Sequence, residues 1–552
     1  MFLSRTLSQP VPEDYPSSLA QSGPHRPAVA PRPALLAGLV LLCLIPRAWV
    51  AVQHGGICPD GVLYIDLARA LEAGDLQAGL REMQLNTFPV ILMVLHRLGL
   101  DWLVAGMAWN VVVASLVVLP MYGWARRQFD DRVAWVACVL YAVHPGLIVW
   151  SCELIRDPTF WLLFMLSLYL LWRAVTEVRI VLFVAAGLAM TLSWLTRFEG
   201  LFLFIPLVLW TFWRWRALST ARGRLIAGAV LCVGAVPALL VAANVLFFHD
   251  AQHFALSRLR PLSLVDAFFR SLAGSKVSSA AGIVREAGAP AGLPLFGMLR
   301  VFFPTMTRGL SPAFALLMFG GLWGWRRVWL RRDHQALFYT ALAVLAGIWI
   351  NLWYVQVSCP RYAFSIVLMA SVFAALGVLG LTARCVRWLE GRGLGLGVQS
   401  AAALGPLAAV ALLGAAGVLA SDYSLRRTEV QIGRWIRQEY GPSARVAGPV
   451  GMATSIGFYA QAQSTTFPHD PGDETIASVV RESRPDVLLL YLARRMKPDR
   501  YAEVIGQMKQ LGLETLARDR LPDVTQRLHV LARPQAGPRL AGAPGALRAK
   551  DY

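Results

Sequence analysis

Long apolar runs recur along most of the chain and dominate its hydrophobic pattern. A helix needs about 20 mostly apolar residues to cross the roughly 30 Å hydrocarbon core of a bilayer. By this criterion the pattern predicts about eleven membrane spans, the two shortest of them tilted or partly re-entrant. The predicted spans are 34–52, 102–124, 133–150, 158–173, 180–195, 200–213, 225–247, 309–325, 335–353, 362–382 and 398–420. We therefore expect an α-helical polytopic membrane protein.

The pattern changes after about residue 421, where shorter segments replace the long runs. Four of these segments read as strands and two as helices. The predicted strands are RVAGPV, STTFP, DVLLLYLA and RLHVLARP, and the predicted helices are ETIASVVRES and DRYAEVIGQMKQLG. The sequence thus predicts a small C-terminal α/β domain outside the membrane over 422–552, ending in a frayed tail.

The two other parts of the chain are a polar leader and the membrane block. Residues 1–33 are proline-rich with little apolar periodicity, which predicts a disordered cytoplasmic tail. The membrane block covers 34–421 and has two long outer connections, 53–101 and 248–308. Loops held by a rigid scaffold often carry function, so these connections are where we expect the chemistry.

Composition and charge support a membrane protein. Of the 552 residues, 56% are hydrophobic and only 15% are charged, against roughly 25% charged in soluble domains. The net charge of +19 does not indicate a nucleic-acid partner, because the arginines form short clusters between spans and not one basic face. They occupy every second connection, as the positive-inside rule requires. This places the N-terminus in the cytoplasm and the C-terminal domain outside; a cleaved signal peptide is the weaker interpretation, because the leader is long.

Charges at the outer ends of spans need another explanation. Arg47 lies near the outer end of the first span, where it could snorkel to the headgroups or bind an anionic ligand.

The stretch CPDGVLYIDLARALE follows the first span and predicts a short helix lying in the membrane interface. It contains turn chemistry followed by apolar residues at helical spacing, among them Tyr64. Asp60 could cap this helix or act in catalysis. Asp66 could simply pair with Arg69.

A second group of charges, Glu153, Arg156 and Asp157, lies between the third and fourth spans. Asp157 precedes a proline and could start a helix, and Glu153 could pair with Arg156. A structural ion cluster and a functional site both explain this group.

Further charged and aromatic residues lie at other outer turns. Arg197 and Glu199 follow the fifth span, Arg361 and Tyr362 precede the tenth, and Lys276 lies in the second long outer connection. Because arginine binds phosphate through planar, charge-assisted hydrogen bonds, these residues together indicate an anion site facing the lipid boundary.

The seven cysteines show no CxxC spacing, so no metal site and no cofactor is predicted. Cys58, Cys152 and Cys359 map to outer loops, where a disulfide between two of them is possible.

The order of these features resembles the C-type membrane glycosyltransferases. The resemblance rests on the outer-end arginine of the first span, an aspartate before a Tyr-containing helix, and Glu-x-x-Arg-Asp-Pro between the third and fourth spans. It covers about residues 35–380 and is strongest to the group of protein O-mannosyltransferases and the lipid A aminoarabinose transferase, glycosyltransferase family 39-like. Many members have two successive acids in the first loop, but here Gly61 follows Asp60, so either Asp60 or Asp66 could carry the catalytic role.

The resemblance implies a polyprenyl-phosphate-linked sugar donor, an inverting transfer and an outer-face site in the bacterial inner membrane, with the C-terminal domain in the periplasm. The acceptor would be a lipid, a glycan or a protein. Together with the chemistry of these residues, the resemblance implies that Asp60 is the catalytic base and that Glu153 and Asp157 organise the site. The predicted substrate-binding residues are Arg47, Tyr64, Asp66, Arg156, Arg197, Lys276, Arg361 and Tyr362.

The alternative function is a membrane transporter or lipid flippase. Such proteins usually place ionisable residues near the bilayer midplane. Here the middles of the predicted spans lack such residues and the charges lie at the outer ends, which favours an interfacial enzyme. A non-catalytic anchor for the C-terminal domain would not need these charges.

Overall fold

The computed structural model describes residues 33–75, 86–247, 295–326, 331–355, 359–393, 396–421, 424–467, 473–491, 498–516 and 528–534. The predicted N-terminal tail up to residue 32, the C-terminal tail, Lys276 and most of the 248–308 connection lie outside the described residues.

The membrane block consists of helices throughout its described parts. They are α1 (Pro33–His54), α2 (Pro59–Ala73), α3 (Thr87–Arg97), α4 (Trp102–Leu116), α5 (Val118–Gln128), α6 (Asp131–Val143), α7 (Pro145–Trp150), α8 (Asp157–Glu177), α9 (Ile180–Thr196), α10 (Phe204–Ala217), α11 (Arg222–Phe247), α12 (Leu295–Leu310), α13 (Pro312–Gly324), α14 (Arg332–Val355), α15 (Phe364–Glu390) and α16 (Leu396–Leu419), with 3-10 turns at Phe198–Leu203 and Pro360–Ala363. Every predicted span coincides with one or two of these helices. Among the described residues, six segments are long and apolar enough to cross a membrane by length and composition. The fold class is confirmed, whereas the number of crossings stays a prediction.

The third predicted span is broken into α6 and α7 at His144. The residue before a proline is disfavoured in the α conformation, and His144 has the extended backbone angles φ −68° and ψ 116°. Its ring nitrogen Nδ1 accepts a hydrogen bond of 3.3 Å from the backbone N–H of Leu147. His144 therefore caps α7 where Pro145 ends α6.

The core of the membrane block is built by close helix crossings and large aromatic side chains. A Cβ atom at Gly321 of α13 would lie 1.9 Å from the Phe373 carbonyl oxygen of α15, and one at Gly377 would lie 2.1 Å from the Leu317 oxygen. These two helices therefore cross backbone to backbone, as small residues allow in membranes. The fully buried tryptophans include Trp124, Trp161, Trp172 and Trp210.

The C-terminal domain is a five-stranded mixed sheet between two helical layers. Its elements are α17 (Ser424–Tyr440), β1 (Arg445–Pro449), α18 (Met452–Ala460), β2 (Gln463–Phe467), α19 (Asp473–Ser483), β3 (Val487–Tyr491), α20 (Pro498–Gln510), β4 (Glu514–Thr515) and β5 (Leu528–Ala532). The strand order is β2-β1-β3-β5-β4, with β1 parallel to β2 and β3, and β5 antiparallel to β3 and β4. All four predicted strands and both predicted helices are confirmed.

Burial explains why β3 reads as a continuous apolar run. Val487 and Leu489 pack with residues of α17 and α18, and Leu488 packs with residues of α19 and α20. A strand covered on both faces has no polar side to expose.

Helix α2 positions the candidate site, because it is held on several sides. It packs against α3 and against α18 of the C-terminal domain. Its residues Val62, Tyr64, Ile65 and Ala68 share an apolar cluster with Leu154 and with Tyr459 of α18. The described start of the predicted 53–101 connection is thus built into the body of the protein.

Candidate functional site

Asp60 is the second residue of α2. The helix begins after Cys58, which is its N-cap residue, and no side chain caps it. Asp60 is therefore not the N-cap that local sequence allowed. Its carboxylate oxygen Oδ2 instead accepts a hydrogen bond of 2.5 Å from Nη2 of Arg361, and its side chain remains 36% exposed.

Arg361 reaches Asp60 from the 3-10 turn before α15, 301 residues further along the chain. Its guanidinium carbon lies 5.4 Å from the ring centroid of Trp150 and 5.8 Å from that of Tyr362. Aromatic faces attract such a cation. The side chain is 16% exposed, so the Asp60–Arg361 pair lies at the surface of the site and not inside the core.

Arg197 forms a buried ion cluster beside this pair. Its Nη1 donates to Oδ1 of Asp157 at 2.5 Å, and its Nη2 and Nε donate to the Glu199 carboxylate. Burial would lower the pKa of Arg197, but the charges of Asp157 and Glu199 raise it. The guanidinium carbon also lies 5.6 Å from the Tyr362 ring centroid. Arg197 is thus a permanent cation whose two acidic partners neutralise it.

Arg156 and Tyr64 complete the group. Arg156 precedes α8, is only partly buried and makes no ion pair within 4.0 Å to a carboxylate among the residues that the structure describes. Burial raises the pKa of the Tyr64 phenol to about 12, and Arg156 is the strongest of the charges that oppose this shift. Tyr64 therefore stays neutral at physiological pH, and its phenol lies close enough to Arg156, Asp60 and Arg361 for the charge of each to act on its pKa.

Glu153 lies in a different cluster from these residues. Its Oε1 is 3.1 Å from Nε2 of His54 and 3.7 Å from Nη2 of Arg426 in α17. Arg426 also donates to Glu429 at 2.8 Å. Burial raises the pKa of Glu153, but His54 and Arg426 lower it to a net value below normal. Glu153 has these partners in place of the Arg156 pair that the i,i+3 spacing allowed.

Arg47 is fully buried within the membrane block. Its Nη1 donates to the carbonyl oxygens of Cys43 at 3.0 Å and Ala142 at 3.3 Å, and its guanidinium carbon lies 5.0 Å from the Tyr141 ring centroid. Because Ala142 is near the end of α6, Arg47 places a cation at a helix C-terminus. Its guanidinium is therefore enclosed by protein, and the contacts described for it do not include the Asp60–Arg361 pair.

Asp66 lies on the exposed side of α2 and pairs with Arg69 at 3.3 Å, as the spacing allowed. The structure therefore brings together Asp60, Tyr64, Arg156, Asp157, Arg197, Arg361 and Tyr362, and it places Asp66, Glu153 and Arg47 elsewhere.

The cysteines are all free thiols, so the possible outer-loop disulfide is not formed. Cys58 donates to the Leu154 carbonyl at 3.6 Å and Cys152 to that of Arg47 at 3.1 Å. Within the described part of the chain, no three His, Cys, Asp or Glu side chains are grouped to hold a metal ion.

Four residues of these clusters were not predicted: Trp150, His54, Arg426 and Glu429. The signal for Arg426 was present, because it follows the last predicted span on the outer side, where the positive-inside rule leaves basic residues unexplained. The contact of Trp150 with Arg361 depends on helix packing and has no local signal.

Comparison with known proteins shows what this chain is similar to. A family model described as dolichyl-phosphate-mannose-protein mannosyltransferase matches residues 88–243. That region contains Glu153, Arg156, Asp157 and Arg197. Together with the similar fold of the solved structures below, this family model confirms the predicted resemblance to the C-type, family 39-like glycosyltransferases.

Two solved structures show how far the fold is shared. ArnT from Cupriavidus metallidurans bound to undecaprenyl phosphate is 15% identical and has a TM-score of 0.52, with 92% of this chain and 99% of that chain covered. The Archaeoglobus fulgidus oligosaccharyltransferase in complex with Zn and sulfate is 14% identical and has a TM-score of 0.53, with 90% and 73% covered. A search of curated proteins found no match.

Proposed function

We propose that the protein is an inverting membrane glycosyltransferase. It transfers a sugar from a polyprenyl-phosphate donor to an acceptor hydroxyl at the outer, periplasmic face of the bacterial inner membrane. The observation that supports this proposal is the partly exposed Asp60 carboxylate, which pairs with Arg361 and lies near Tyr64, a residue on which the charge of Arg156 also acts. The undecaprenyl phosphate bound by the Cupriavidus metallidurans structure supports the donor class.

Asp60 acts as the general base in this proposal. The acceptor hydroxyl oxygen attacks the anomeric carbon of the sugar while Asp60 takes the hydroxyl proton. The bond between the anomeric carbon and the phosphate oxygen breaks, and the polyprenyl phosphate leaves with the electron pair. A single displacement of this kind inverts the anomeric configuration, and it needs only one carboxylate near the reacting carbon.

Arg361 and Arg156 hold the donor phosphate. Preorganised cations stabilise the charge that develops on a leaving phosphate. Arg361 is paired with Asp60, so it passes from Asp60 to the phosphate as the donor binds, which frees the carboxylate to accept a proton. Arg156 makes no ion pair with a carboxylate among the described residues, so it can bind the phosphate without first breaking one. The Tyr362 ring lies against both Arg361 and Arg197, and Tyr64 is buried nearby.

Asp157 and Arg197 organise the site without touching the reacting atoms. Both are buried, with 2% and 7% of their side chains exposed. With Glu199 they join the start of α8 to the end of α9, and they place the Arg197 charge against the Tyr362 ring.

The test is transfer of labelled sugar from polyprenyl-phosphate donors by the purified protein. We expect wild type and Asp66→Asn to transfer sugar and Asp60→Asn to lose transfer, with unchanged thermal unfolding for both variants. Asp66→Asn is the matched control because it removes an acid from the exposed side of the same helix. Full activity of Asp60→Asn would remove Asp60 as the base, and wild type that turns over no donor would favour the transporter or flippase.

A further inference from the structure

The connection between α1 and α2 packs directly against the start of α17. Nε and Nη2 of Arg427 donate to the Gln53 carbonyl oxygen at 3.0 and 2.9 Å. A Cβ atom on Gly56 would lie 2.9 Å from Cβ of Arg426 and 3.2 Å from its carbonyl oxygen. The C-terminal domain therefore contacts the segment that ends at Asp60, with no room for a side chain at residue 56.

Arg426 joins this segment to the loop before α8. It lies 3.7 Å from the Glu153 carboxylate, which in turn lies 3.1 Å from His54, the last residue of α1. Glu153 is 6% exposed, and its Oε2 has no hydrogen-bond partner among the residues that the structure describes. Because a buried carboxylate is costly without a cation, the Arg426 charge stabilises Glu153 in this position, and the His54 ring contacts the same carboxylate.

The loop that carries Glu153 also supports the first turn of α2. Nδ2 of Asn110 in α4 donates to the carbonyl oxygens of Glu153 at 2.7 Å and of Ile155 at 2.8 Å, which fixes the loop to a span. The thiol of Cys58 donates to the Leu154 oxygen, and a Cβ on Gly61 would lie 2.9 Å from that same oxygen. The start of α2, including Asp60, is thus seated directly on the loop.

We propose that Arg426 of the C-terminal domain is a positioning residue for sugar transfer. It holds the segment from His54 to Asp60 between α17 and the Glu153 loop, and this fixes the Asp60 carboxylate relative to Arg361. The inference rests on the proposed function and assigns the C-terminal domain a part in catalysis. A displacement of a catalytic group by about 1 Å can lower a rate by about 100-fold. The contacts of Arg426 therefore affect the chemical step.

Steady-state kinetics of the full-length protein tests the proposal. We expect Arg426→Ala to lower kcat by about 10- to 100-fold, while the KM for the donor changes by less than about threefold because the phosphate ligands are untouched. Arg426→Lys keeps the charge and should recover part of the loss. Arg434→Ala, an exposed position on the same helix, is the matched control and should behave as wild type.

Hydrogen–deuterium exchange supplies a readout independent of turnover. In Arg426→Ala, amides between His54 and Gly61 should exchange faster while those in the sheet of the C-terminal domain stay protected. Gly56→Ala is the second variant, because its added Cβ pushes α17 away with every charge intact. It should lower kcat in the same way, even if Arg426→Ala fails to fold.

The outcomes separate this inference from the proposed function. Wild type without transfer from any polyprenyl-phosphate donor overturns the function itself. Active wild type with unchanged kcat in both Arg426→Ala and Gly56→Ala overturns only the positioning role. A loss in Arg426→Ala that appears entirely in the donor KM would also overturn it, because Arg426 would then act on substrate binding.

Discussion

Replacing Arg197 with alanine should destabilise the protein more than it weakens donor binding. The guanidinium is 7% exposed and joins two carboxylates, those of Asp157, 2% exposed, and Glu199, 15% exposed. The substitution leaves the buried Asp157 and the partly buried Glu199 without the cation that joins them.

The size of the effect follows from this burial. Breaking a buried ion pair by removing one partner costs about 3–5 kcal/mol, because the remaining charge stays desolvated. The exposed Asp66–Arg69 pair, with side chains 49% and 51% exposed, is the internal comparison. A surface pair of that kind contributes about 0–1 kcal/mol.

Thermal unfolding in detergent, followed beside donor kinetics, measures both effects. We expect a large drop in the Tm of Arg197→Ala, a small one for Arg69→Ala, and partial recovery when Asp157→Asn is added to Arg197→Ala, since the double variant no longer buries that unpaired charge. If Arg197→Ala kept the wild-type Tm and instead raised the donor KM, Arg197 would be a phosphate ligand and the reasoning from burial would be refuted.

Three further predictions follow from the site. Arg156→Ala should raise the donor KM at least about tenfold with an unchanged Tm, because a charge-assisted bond to phosphate is lost; an unchanged KM would remove Arg156 from the donor site. Tyr64→Phe should leave the pH–rate profile between pH 6 and 10 unchanged, because burial raises the pKa of the phenol to about 12; a basic limb that disappears in the variant would contradict this. The pKa of Glu153 is lowered on folding, so its contribution to stability is present above the unfolded value of about 4.3 and is lost as the pH falls through the folded value. The Tm difference between wild type and Glu153→Gln, measured from pH 7 to pH 3, should therefore shrink below about pH 4, and a constant difference would contradict the shift.

Much of the fold was predictable because its causes are local. A membrane helix needs a long apolar run whatever surrounds it, so each predicted span coincides with helix. The strands of the C-terminal domain follow from their short apolar segments bounded by turn residues. The split of the third span at His144 follows from the proline after it, although the long apolar run concealed the break.

The candidate site was predictable only as a set of charged residues at one membrane surface. Asp60 and Asp66 are six residues apart on one helix, and neither composition nor spacing decides which of them faces the site. The rotation of α2 decides it, since packing buries Tyr64 and turns Asp66 to the exposed side. The same holds for Glu153, whose near neighbour Arg156 in sequence is not its partner.

The sequence by itself determined that the protein is a polytopic membrane protein with a small α/β domain and charges near the ends of its apolar runs, because hydrophobic burial and backbone hydrogen bonding are satisfied within short segments. Only the tertiary structure decided which charges meet. Asp60 pairs with Arg361, which is 301 residues away in the chain, and Glu153 of the membrane block meets Arg426 of the C-terminal domain. Such pairs depend on where the ends of packed helices lie in space. The position of each helix end is set by all the helix contacts that separate the two residues.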